Sequence, residues 1–165
     1  MTKTHDLADR PSPLHRRLLD RLRESYLAVR FGVIDQHADL GRRGEQAAAR
    51  MLRRKNLHLI SHSESDRQGE IDLIAMDRRT RTLVFVEVKT LASTKPGHPA
   101  ERVDENKQRR ITRAALRYLR RQHLVGCPCR FDVVAVWWAS GGPRPDRIEH
   151  YESAFEAVGD WQFYA

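Results

Sequence analysis

Cysteine, lysine and long apolar runs are all scarce in this chain of 165 residues. Its two cysteines, Cys127 and Cys129, stand on either side of one proline, a spacing that supplies neither a disulfide framework nor the four ligands of a structural zinc site. No apolar stretch approaches the roughly 18 residues that a membrane-crossing helix needs. The N-terminal MTKTHDLADRPSP carries acidic residues and lacks the hydrophobic stretch of a secretion signal. A membrane partner and a disulfide-held exported fold are therefore not expected, whereas a cytoplasmic location with reduced thiols is. Lysine occurs only at positions 3, 55, 89, 95 and 107, so arginine supplies most of the 30 basic residues that, against 22 acidic ones, leave a net charge of +8. Arginine's planar fork pairs bidentately with phosphate, and a clustered positive field concentrates polyanions. Nucleic acid is the partner class this balance favours; a solvated arginine-rich surface is the plainer alternative.

What is present fits one ordinary domain with loose ends. Hydrophobic residues make up 40% and charged ones 32%, and a chain of this length can bury a core without staples. Residues 1–39 read as an extension. Pro11 and Pro13 mark a polar lead, after which Leu14, Leu18, Leu22 and Tyr26 recur at spacing four opposite Arg16, Arg17, Arg21 and Arg23, predicting an amphipathic basic helix.

Residues 40–165 form the main unit. A helix is expected from Leu40 or Gly41 through GRRGEQAAARMLRRK, which is rich in helix formers. NLHLISHSE and GEIDLIAMD read as strands, and the polar turn DRRTRT joins the second to LVFVEVKT as a hairpin. Lys95–Pro99 is a loop. VDENKQRRITRAALRYLRRQ predicts a long helix with Asp104 as N-cap and Val103, Ile111, Ala115, Leu116 and Leu119 on its apolar side. RFDVVAVWW is a buried strand and RIEHYE a short one. The order argues an α/β sandwich with a mixed central sheet.

Within LVFVEVKT, Glu87 and Lys89 interrupt a run that would otherwise be a plain core strand. Residues two apart on a strand share a face, so both point with Phe85, away from Val84, Val86 and Val88. On the preceding arm Asp72 shares a face with Glu70, and a hairpin would bring a carboxylate from each arm together with the lysine. Two carboxylates and waters suit a hard cation such as Mg²⁺. Such an ion acidifies a water and neutralises charge on a phosphoryl oxygen, while a lysine adds a cation for the phosphate. The bland alternative is the wet face of a half-buried strand. His58 and His62 fall on one strand face around Ile60 but lack a third ligand nearby, and so read as ordinary surface or edge residues. Asp132 reads as an internal charge paired with an arginine, and Trp137, Trp138, Trp161, Phe163 and Tyr164 as core and tail aromatics rather than a base-stacking surface.

The blocks GRRGEQAAARML, GEIDLIAMD, LVFVEVKT, KQRRITRAALRYL and CRFDVVAV, in that order over residues 40–155, resemble the YraN family, uncharacterised bacterial proteins placed in the PD-(D/E)XK nuclease superfamily and related to Holliday junction resolvases. The resemblance implies a restriction-endonuclease-like fold, a mixed central sheet flanked by helices, here with an extra N-terminal helix. It further implies that Asp72 and Glu87 hold Mg²⁺ or Mn²⁺ with Glu45 in support, and that Lys89 is the catalytic lysine. Lys107 and Gln108 open the following helix, where related nucleases contribute polar groups to substrate or metal water; Arg109, Arg110 and Arg113 continue it as backbone contacts. Residues 1–39 exceed the family's short lead, and SHSESDRQ is more acidic than the basic stretch expected there. The implied activity is metal-dependent phosphodiester hydrolysis in DNA, branched or junction DNA included, for which a homodimer would suit a symmetric cut. The alternative is a non-catalytic nucleic-acid-binding module or a partner of a repair or recombination machine.

Overall fold

A computed structural model of the chain describes residues 34–66, 69–92 and 103–159. The predicted N-terminal helix, the Lys95–Pro99 loop and the aromatics Trp161, Phe163 and Tyr164 lie outside those residues. Helix α1 (Leu40–Arg54) is followed by strands β1 (Leu57–Asp66), β2 (Gly69–Asp77) and β3 (Thr82–Leu91), helix α2 (Glu105–Arg121), and strands β4 (Cys129–Trp137) and β5 (Arg147–Phe155). The strands form one sheet in chain order, β1-β2-β3-β4-β5, antiparallel throughout except for the parallel pair β3–β4. A parallel pair needs a long crossover, and α2 provides it. The expected mixed sheet is thus present, with β5 a nine-residue strand rather than a short one, and the architecture is consistent with a restriction-endonuclease-like fold.

Local chemistry sets the element ends. The Asp39 carboxylate accepts from the Arg42 N–H at 2.9 Å and starts α1, and Asp104 accepts from the Lys107 N–H at 2.8 Å and starts α2; each satisfies a backbone donor that has no partner within its helix. Asn56, at φ +62°, turns the chain from α1 into β1, a left-handed conformation that asparagine tolerates. In the β2–β3 turn the Asp77 carboxylate accepts from the Arg79 and Thr80 N–H groups.

Alternation along the strands feeds two cores. On one side Ile74, Met76, Leu83, Phe85, Phe131 and Val133 meet Ile111, Ala115, Tyr118 and Leu119 of α2. On the other, Leu73, Ala75, Val84, Val86, Val134 and Val136 meet Ala47, Ala48, Ala49 and Leu52 of α1. Phe85 is stacked 5.7 Å from Phe131 and edge-on to Tyr118 at 6.0 Å, pairings worth about 0.5–1.5 kcal/mol each beyond their burial. A bulge at Ile60 breaks the period-two pattern of β1: His58 is in register with Met76 but His62 with Leu73. The two histidines therefore do not share a face by simple alternation, a correction to the sequence reading that the bulge alone explains.

Asp132 is fully buried on β4 and pairs with an arginine as expected. It accepts from Arg130 Nε at 3.1 Å, from the Ser153 N–H at 3.0 Å, and lies 2.8 Å from His150 Nε2. Arg130 also reaches Asp77 at 3.2 Å, and His150 Nδ1 lies 3.2 Å from the Lys55 ammonium at the end of α1. Trp137 and Trp138 are buried; Arg147 lies over the first ring at 4.8 Å and Arg43 over the second at 4.1 Å. They belong to the core rather than to a stacking surface.

Candidate metal and phosphate site

The β2–β3 ladder runs from Asp77 opposite Thr82 to Leu73 opposite Val86 and stops there. Two residues further along β3, the Val88 N–H donates instead to the Asp72 carboxylate, at 2.6 Å. The two strands part at this point, and the Asp72 side chain fills the place that a backbone carbonyl would have taken. Opposite it Glu87 continues the face of Phe85 and is only 3% exposed. The hairpin therefore does bring a carboxylate from each arm together.

Glu87 uses its two oxygens differently. Oε1 accepts from Lys89 at 2.8 Å and from Lys107, on the first turn of α2, at 3.0 Å. Oε2 is buried and has no hydrogen-bond partner among the described residues. The Lys89 and Lys107 side chains are 29% and 24% exposed, so both cations reach water while their shared anion does not.

Glu45 joins from the other layer. Helix α1 approaches β3 so closely at Gly44 that a Cβ there would sit 1.8 Å from the Thr90 hydroxyl. The next residue, half-buried Glu45, is near enough for its charge to act on Asp72. The glycine was the legible signal for this contact, since glycine inside a helix costs about 1 kcal/mol against alanine unless packing requires it; the reading of the sequence missed it. Gly44→Ala is expected to lose about 1–3 kcal/mol by overpacking. Thr90→Ala in the same chain should recover part of that loss, which denaturant melts of the four variants of the cycle would measure.

Burial pushes the Asp72 carboxyl up to about 7, helped by the negative charges of Glu87 and Glu45 and opposed by the Val88 N–H and Lys107. Between about pH 4 and that value the folded chain holds a proton that the unfolded chain has released. The stability linked to Asp72 is therefore full below about pH 4 and is lost as pH rises toward 7. Asp72→Asn, which keeps an acceptor for Val88, should melt several degrees above the wild type at pH 8 in EDTA and level with it near pH 4. A gain of equal size at both pH values would contradict this assignment.

The remaining candidates are placed more simply. The Gln108 amide donates to the Val103 carbonyl at 2.8 Å, holding the entry to α2. Arg109 pairs with Glu105 one turn earlier. Arg110 and Arg113 are exposed on the outer side of α2.

The donor set fits a hard divalent cation. Two carboxylates converge with one oxygen unmet, and burial, followed by the charge of Glu87, raises the pKa of Asp72. Among the described residues no three His, Cys, Asp or Glu side chains gather into a group that could hold a metal ion, so Glu45 does not complete a three-ligand set with Asp72 and Glu87. Mg²⁺ and Mn²⁺ do not need one, because they sit well with one or two carboxylates and several waters.

The model of the uncharacterised protein family UPF0102 matches residues 44–136, a span that contains Gly44, Glu45, Asp72, Glu87, Lys89 and Lys107. A UPF0102 protein of Rhodopirellula baltica is 68% identical over 145 residues, covering 88% of this chain and 87% of that protein. UPF0102 proteins of Chlorobaculum tepidum and Geobacter sulfurreducens are each 44% identical, over 124 and 117 residues. These alignments cover 73% and 71% of this chain, and 94% and 88% of the two relatives. With every residue of the carboxylate–lysine cluster inside the matched span, and with relatives matched over nearly their whole length, the chain belongs to the UPF0102 family, which is the YraN family its sequence blocks resemble.

Proposed function

We propose that the protein is a metal-dependent endonuclease that hydrolyses phosphodiester bonds in DNA. The observation that carries this reading is the divided carboxylate of Glu87, one oxygen holding two lysines and the other buried and unmet beside Asp72. An ion pair serving only the fold would gain by engaging both oxygens, because an unsatisfied buried acceptor costs about 1–3 kcal/mol. The resemblance to PD-(D/E)XK nucleases supports the same reading.

Held by Asp72 and Glu87 with Glu45 in support, a divalent cation would supply a more acidic water and neutralise charge on a phosphoryl oxygen. The chain's own groups do the rest. Lys89 and Lys107 set two ammonium groups between solvent and the buried carboxylates, where they draw in a phosphate and offset its charge. Lys89 is the group we assign to the attacking water, the role that the resemblance implies for it. The positive end of α2, at Lys107, adds a partial charge of the same sign. Glu87 fixes both ammonium groups through one oxygen, so neither has to be ordered again when substrate arrives.

Labelled single-stranded, duplex, flap and four-way-junction DNA in Mg²⁺, Mn²⁺ or EDTA tests the reading. Metal-dependent cuts, lost in Asp72→Ala and in Lys89→Ala, are expected. Binding without cutting in either metal would overturn it in favour of a non-catalytic binding module.

A further inference from the structure

Helix α2 begins at the candidate site and runs to the far end of the sheet. Its first turn carries Lys107 against Glu87. Its C-terminal end leads into the loop whose Pro128 carbonyl accepts from the Leu83 N–H at 2.9 Å, beside the β2–β3 turn. Between these ends Arg110, Arg113, Arg117, Arg120 and Arg121 recur at spacings of three and four, which is one stripe on a helix. All are exposed but Arg117, which is half-buried. The acidic residues of α2 are confined to Glu105, which is already paired with Arg109. A helix face that merely keeps a protein soluble mixes both signs. Helix α1 lacks such continuity, having no exposed arginine between Arg42 and Arg50. At the β2–β3 turn, exposed Arg78, Arg79 and Arg81 extend the positive charge beyond the end of α2.

The length and rigidity of the stripe select a partner. From Lys107 to Arg121 the helix rises about 21 Å, which is about six base pairs of duplex at about 3.4 Å each. A single strand is held differently, by aromatic faces on which unpaired bases stack. Among the described residues no Phe, Trp or Tyr ring is exposed, and Val125 is the only exposed large apolar side chain. The two tryptophans that a base might have used carry arginines on their faces.

We propose that the outer face of α2 is a track for the backbone of a duplex arm, leading from the Glu87–Lys107 end toward the β2–β3 turn and read without base contacts. The proposal rests on the reading of the Glu87 cluster as the place where a phosphate is handled, and it adds the class of substrate and the side on which that substrate extends. Contacts from arginine to phosphate set position and affinity but carry no sequence information.

Binding in EDTA tests it apart from turnover, with the full-length chain, a short duplex and a single strand of the same sequence over a salt series. Arg113→Gln/Arg117→Gln/Arg120→Gln should weaken duplex binding at least about tenfold. It should also flatten the dependence of log K on log salt by about three, since each phosphate contact contributes about 0.9. Arg50→Gln/Arg53→Gln/Arg54→Gln makes the same change in net charge on α1 and should stay within about twofold of the wild type. Melting curves confirm that both triple variants are folded. Equal losses in the two triples, or a single strand held as tightly as duplex and weakened equally by the α2 triple, would overturn the track. The nuclease reading fails separately: a chain that binds through α2 and never cuts keeps the track and loses the nuclease, and one that cuts but ignores the α2 triple does the reverse.

Discussion

Glu87→Gln should lower metal-dependent cleavage at least about a thousandfold while the fold survives. The substitution keeps the shape of the side chain and an oxygen for Lys89 and Lys107, but removes the charge that a divalent cation needs at its second carboxylate. Preorganised charge at a reacting phosphoryl group is among the largest single contributions an active site makes, and single electrostatic groups are worth about two to three decades in rate; loss of a ligand adds weaker metal binding to that. Glu87→Ala would be a poorer test, because it leaves two ammonium groups with no shared anion at a partly buried position. Stability should change little in the glutamine variant, and DNA binding in EDTA should hold or tighten as a negative charge leaves the site. A cleavage rate within a few fold of the wild type would remove Glu87 from the chemistry and with it the proposed mechanism.

Asp132→Ala should have the largest effect on stability, with none on the reacting groups directly. Asp132 is wholly buried and serves Arg130, His150 and the Ser153 N–H at once. Removing it leaves Arg130 with Asp77 and Glu152 alone and takes the acceptor from buried His150 and from the Ser153 N–H on β5, and breaking a buried pair in this way costs about 3–5 kcal/mol. For a chain of this length that corresponds to a fall of roughly 10 °C in melting temperature. Thermal melts in EDTA measure it. A fall of less than about 2 °C would mean that the network contributes nothing net and that the surrounding apolar contacts carry this end of the sheet.

Much of this molecule was legible before its structure. The β2 limits, the N-cap of α2 and the turn between β2 and β3 follow from local chemistry, since residues such as Asp104 and Asp77 act on N–H groups two or three positions away. The facing of Glu87 and Lys89 followed from strand alternation, and their meeting with Asp72 from the hairpin. What alternation cannot express was missed. The bulge at Ile60 inserts one residue and shifts every later pairing of β1, so the relation between His58 and His62 was misjudged. Strand β5 runs on to Phe155, and the Ser153 N–H within it donates to Asp132 on the neighbouring strand, a contact between positions 21 apart. The approach of α1 to Thr90 was written only as one glycine, and its partner lies on a distant strand. The resemblance supplied the ligand set; the distances supplied the division of labour between the two oxygens of Glu87.

The coincidence of chain order and sheet order bears on how the protein is made. Most strand pairs join through short connections, so little loop entropy is lost before each pairing is rewarded, and only the β3–β4 junction waits for a distant segment. During synthesis the N-terminal part of a chain is free to fold first. The meander of β1, β2 and β3, with Asp72 and Glu87 already on it, leaves the ribosome before α2 brings Lys107. For that interval the two carboxylates face each other with one of their lysines still to come, and the arrival of α2 both covers the apolar face and completes the charge balance of the site. One element, α2, thus serves both the core and the site.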